Sequence, residues 1–123
     1  MEPDGRTYTA AISAFSRVGD WVRAVALLPA LAPRTDSSLG YNAALRALAP
    51  AGRWETALGV WALLRAQERI APTVHTAYAV AKVCERGRAF APAVNLLARF
   101  PGGIEAHRAL LEALAARLER QVA

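Results

Sequence analysis

The chain has 123 residues, of which 54% are hydrophobic, so it can fill one compact domain or a short solenoid and is too apolar to be disordered. Its net charge of +5 comes almost wholly from arginine, Lys82 being the one lysine, and it suits a polyanionic partner as well as a merely solvated surface. A single cysteine, Cys84, excludes an internal disulfide and a multi-cysteine metal site, and no apolar run reaches the roughly 18 residues that span a membrane.

Alanine is abundant and β-branched residues are sparse, so the pattern predicts an all-α chain. Met1-Glu2-Pro3-Asp4-Gly5 is acidic and reads as neither signal nor transit peptide. Apolar residues at i, i+3, i+4 and i+7 then mark a helix over Arg6–Arg17 and a second over Trp21–Ala32, with Gly19 between them. The next pair is expected over Ser38–Ala49 and Trp54–Arg69 around Gly52. Pro50 should end the earlier of the two by Ala49. A third pair is expected over Val74–Arg86 and Phe90–Arg99 around Gly87, followed by a last helix over Ile104–Arg120. Gly19, Gly52 and Gly87 fall where each first helix must stop in the left-handed conformation.

These pairs are copies of one another. Thr7–Leu31 lies on Gly40–Leu64 without a gap at an offset of 33, matching Tyr8 to Tyr41, Gly19 to Gly52, Trp21 to Trp54 and Ala24 to Ala57. A third copy at an offset of 36 matches Trp54 to Phe90 and Ala57 to Ala93. Units of about 5–37, 38–73 and 74–102, with a terminal helix in 103–123, make a single repeat domain of residues 1–123. No unit buries its apolar face alone, so the units must stack, with Trp21, Trp54 and Phe90 as plugs between neighbours.

Thr7-Tyr8-Thr9-Ala10-Ala11-Ile12 and Gly40-Tyr41-Asn42-Ala43-Ala44-Leu45 resemble the "TYNTLI" opening of pentatricopeptide repeats. Gly52-Arg53-Trp54-Glu55-Thr56-Ala57-Leu58 resembles their "AGRWEEAL" turn, and Ile70-Ala71-Pro72-Thr73 their "IKPD" ending. Pro3-Asp4 looks like the same ending from a preceding unit. The tetratricopeptide signature fits worse. The resemblance implies a right-handed α-solenoid of about three helix–turn–helix repeats plus a terminal helix. It also implies single-stranded RNA as partner, read at roughly one base per repeat along the first helices, in a mitochondrion or plastid.

Carried over by position, the resemblance makes Thr9 and Asn42 the base-edge residues, Ser37 and Thr73 their partners, and Arg6 and Leu39 the wedges beside the base. Asp4 would complete the pair of the preceding unit. The third unit departs, with Ala77 in place of the tyrosine, Tyr78 at the base-edge position and His75 at the wedge. Both are rings that can stack on bases. In the last helix the matching residue is Arg108. Arg46 and Lys82 lie one turn beyond Asn42 and Tyr78 and form a basic track, with Ser13 at that place in the first unit. Thr9 and Asn42 are also placed where such residues cap helices.

An enzyme is not expected. His75 and His107 have no cysteine or carboxylate at metal spacing, and no cofactor site is recognisable. Glu105, Glu112 and Glu119 form a charged stripe, Ser37-Ser38 reads as a cap, and Pro101-Gly102-Gly103 is too short for a phosphate loop. The alternatives are a protein–protein interaction scaffold within a larger complex, and a stacking partner that dimerises through its open ends.

Overall fold

The computed structural model describes residues 4–122, so Pro3 of the repeat-ending pair lies outside the described residues. Helices α1 (Gly5–Arg17), α2 (Trp21–Ala26), α3 (Leu28–Leu31), α4 (Leu39–Ala51), α5 (Trp54–Arg65), α6 (Val74–Arg86), α7 (Phe90–Arg99), α8 (Gly103–Ala106) and α9 (Arg108–Val122) follow one another, with no strand among the described residues. The chain is an all-α stack of helix pairs. The first helices pack in series, α1 on α4 and α4 on α6, while α9 packs mainly on α7.

Local chemistry explains most of the boundaries. Asp4 caps α1, its carboxylate accepting from the Thr7 amide at 2.9 Å and the Thr7 hydroxyl at 3.0 Å. These bonds hold the carboxyl below its ordinary range. Asp20 caps α2 through the Arg23 amide, and Thr73 caps α6 through the Thr76 amide. α6 and α7 run over the expected residues.

Four expectations are corrected. The helix expected over Trp21–Ala32 is broken at Leu27 into α2 and α3, then tightens into a 3₁₀ turn over Ala32–Arg34. Pro29 has no amide to donate and its ring opposes the carbonyl four residues back, so the α-helix restarts rather than continues. α4 runs through Pro50 to Ala51 instead of ending by Ala49. The proline costs one amide bond of the last turn, and Gly52 closes the end with its amide 3.0 Å from the Ala49 carbonyl. α5 stops at Arg65, short of Arg69, where the Gln67 side-chain amide bonds the Leu63 carbonyl at 3.0 Å. The last helix is interrupted at His107, whose ring Nε2 lies 3.0 Å from the Val74 carbonyl of α6.

The third turn also differs from the other two. Gly19 and Gly52 take positive φ as expected, but Gly87 has φ −84° and Arg88 takes φ +61° in its place. Position 88 is the one that falls 36 residues after Gly52, so the turn kept its place while the glycine moved. Gly87 is held by packing. A Cβ there would lie 2.5 Å from Trp54 Cδ1 and 2.6 Å from the Gly52 carbonyl oxygen.

Small residues bring the first helices together. Ala43 and Ala47 of α4 are 0% and 4% exposed, and the Ser16 hydroxyl of α1 donates to the Ala43 carbonyl at 2.6 Å. Between units, the Arg53 guanidinium lies 4.9 Å from the Trp21 ring centre and Arg117 lies 4.5 Å from that of Phe90. Each such cation–aromatic contact contributes about 0.5–1 kcal/mol at an exposed site.

The two neighbours at the third turn should respond oppositely. Gly87→Ala is expected to destabilise the chain by about 1–3 kcal/mol through overpacking against Trp54. Arg88→Gly should stabilise it by about 1 kcal/mol by relieving a left-handed non-glycine residue. Urea unfolding read by circular dichroism checks both.

Candidate nucleic-acid interface

Two clefts open on the first helices, one after the other. The first, about 660 Å³, lies between the start of α1, the segment 34–37 and the start of α4. Arg6, Thr9, Ser37 and Leu39 all line it, as does Asp4. Gly40 makes this approach possible, because a Cβ there would collide with Leu31 and stand 3.4 Å from the Thr9 hydroxyl. Thr9 is half-buried and caps nothing, since Asp4 holds that role. Ser37 does share in starting α4, its hydroxyl accepting from the Leu39 amide at 3.2 Å, whereas Ser38 makes no side-chain cap bond.

Two further cations line this cleft that the repeat register did not mark, Arg34 and Arg69. Arg69 donates to the Pro33 carbonyl at 2.9 Å, tying the loop after α5 to the loop before α4. Arg34 donates to the Ala30 carbonyl at 2.6 Å and lies 5.4 Å from the Tyr8 ring centre. Arg34 ends the 3₁₀ turn and Arg69 lies past the end of α5, so only the fold brings them to the site. With Arg6 they face Asp4 and Asp36, and the cleft keeps a net positive charge.

The second cleft, about 250 Å³, lies between α4 and α6. It gathers Asn42, Arg46, His75, Tyr78 and Lys82 over walls made by Leu45, Ala49 and Ala79. Helical spacing explains the gathering, because positions 42 and 46, and 75, 78 and 82, each share a face. The Asn42 side-chain oxygen is buried and has no hydrogen-bond partner among the described residues. An unpaired buried acceptor costs about 1–3 kcal/mol.

The charges of this cleft are unequal. Lys82 pairs with Glu85 at 2.7 Å, and Glu85 also meets Arg117 at 3.5 Å. Arg46 is exposed and makes no ion pair among the described residues. The Tyr78 ring reaches past the cleft to His107, with ring centres 4.7 Å apart.

Thr73 lies outside both clefts. Its hydroxyl is engaged with the Thr76 amide at 3.2 Å and the Thr76 hydroxyl at 3.1 Å. Ser13 and Arg108 also line neither cleft. Cys84 is buried, and burial pushes its thiol up to about 11, so it stays protonated and unreactive at neutral pH. Among the described residues, no three metal-ligating side chains cluster and no helix is long and apolar enough to cross a membrane.

Comparison with known families finds the PPR repeat at residues 6–28 and 40–67. No curated protein and no solved structure matches the chain.

The cap at Thr73 carries a measurable share of stability. Thr73→Ala should cost about 1 kcal/mol in urea unfolding, and Thr73→Asp, which keeps the cap, should unfold at or above the wild-type midpoint.

Proposed function

The chain is a pentatricopeptide repeat protein, and on that premise we propose that it binds single-stranded RNA along the face formed by α1, α4 and α6. Such repeats are helical modules generally linked to RNA binding. One observation carries the finer reading. Arg6, Thr9, Ser37 and Leu39 line one cleft and Asn42, Arg46, His75, Tyr78 and Lys82 the next along that face, while Thr73, Arg108 and Ser13 lie outside both.

The chemistry suits a splayed single strand. The Thr9 hydroxyl and Asn42 amide each donate and accept, which a base edge requires. Arg6 and Arg46 supply charge for phosphates, and guanidinium and aromatic faces stack on bases. The chain acts by binding and transforms nothing. Its role is then that of a module in organellar RNA processing, stability or translation, in a mitochondrion or plastid as the family resemblance implies, alone or within a ribonucleoprotein. Leu39, 66% exposed at the rim of the first cleft, favours a second reading in which the same face seats another protein.

Fluorescence anisotropy with single-stranded RNA and matched DNA at two salt concentrations tests this. RNA should bind more tightly than DNA and lose affinity with salt. Asn42→Ala should change the order of base preference. Arg46→Gln should weaken all sequences alike and reduce the salt slope by about one. If no RNA binds at low salt, the protein-scaffold reading takes its place.

A further inference from the structure

The second cleft holds Asn42 of one unit and Tyr78 of the next in a single cavity of about 250 Å³. That is below the roughly 300–1,000 Å³ of pockets that enclose drug-sized ligands and is ample for a base ring. The position of Tyr78 is the one at which Thr9 and Asn42 offer a compact hydrogen-bonding group. A phenol ring offers a flat face there instead.

The ring is braced. His107 contacts it with an interplanar angle of 37°, and the imidazole is held in turn by the Val74 carbonyl. The break between α8 and α9 falls at this histidine. His107 does not line the cavity, so it contacts the Tyr78 ring from outside the cleft that Tyr78 shares with Asn42 and Arg46.

We propose that Tyr78 is a stacking platform that completes the Asn42 site, so that the second and third units together take one RNA base. The inference rests on the RNA-binding reading above. Asn42 lines the cleft and meets the edge of the base with its carboxamide. Tyr78 meets the face of the base. Arg46 lines the same cleft without an ion pair among the described residues and supplies the charge for the adjoining phosphate. Selectivity at this site therefore comes from Asn42, and a base-independent part of the affinity comes from Tyr78.

Anisotropy of the 123-residue chain with short homopolymers of A, C and U separates the two contributions. Tyr78→Ala should weaken all three by about 5- to 150-fold, the equivalent of one lost stacking contact, and leave their order unchanged. Tyr78→Phe, which keeps the ring, should bind like wild type, and His107→Ala should fall between them. Far-UV circular dichroism establishes that each variant is folded. If Tyr78→Ala reorders the homopolymers, or Tyr78→Phe binds as weakly as Tyr78→Ala, the phenol hydroxyl reads a base of its own and the shared site is wrong. Wild-type binding that Tyr78→Ala leaves intact removes the stacking role alone. Absence of wild-type binding removes the RNA reading and this inference with it.

Discussion

Each helix pair leaves an apolar face uncovered, and everything else depends on neighbouring first helices coming close enough to cover it. Close approach requires small side chains at the contact. Gly40, Ala43 and Ala47 supply them where α4 meets α1, and Gly87 supplies one where the turn after α6 meets Trp54. The Ser16 hydroxyl then reaches the Ala43 carbonyl directly, without a longer side chain between. Stability in such an array is a sum over neighbour contacts, so the spacing of the helices and the stability of the stack have one cause.

The same spacing sets the clefts. With α4 held close to α1 and α6, residues one turn apart on facing helices converge, and Asn42, Arg46, Tyr78 and Lys82 come to share one cavity. The charge available there is less than the composition suggests. Five arginines lie over aromatic rings, among them Arg53 on Trp21, Arg65 on Trp61 and Arg117 on Phe90. Lys82 is neutralised by Glu85. Arginine in this chain therefore serves packing within and between units as well as attraction of a polyanion, and Arg46 stands out as the exposed cation of the second cleft.

Local signals made much of this legible. α6 and α7 follow from the amphipathic period of residues 74–86 and 90–99. The positions that line the clefts follow from the repeat register, because helical spacing carries over from one unit to the next. Tertiary contacts decided what the pattern could not show. His107 breaks the last helix because the Val74 carbonyl and the Tyr78 ring hold it. Arg88 accepts a left-handed backbone because Gly87 is needed against Trp54. Arg34 enters the first cleft from the 3₁₀ turn and Arg69 from beyond the early end of α5, positions that the expected helices did not place at a site. Thr73 has the position of a base-reading partner, yet its hydroxyl is spent on starting α6.

Titration of the isotopically labelled chain with single-stranded RNA, followed by amide and side-chain chemical shifts in NMR, tests the RNA path most directly. Shifts are expected at Thr9, Leu39, Asn42, Arg46, His75 and Tyr78, with α5 and α7 residues such as Arg65, Asn95 and Arg99 unmoved. Shifts concentrated on Arg65, Asn95 and Arg99, with Asn42 and Tyr78 unchanged, would contradict it.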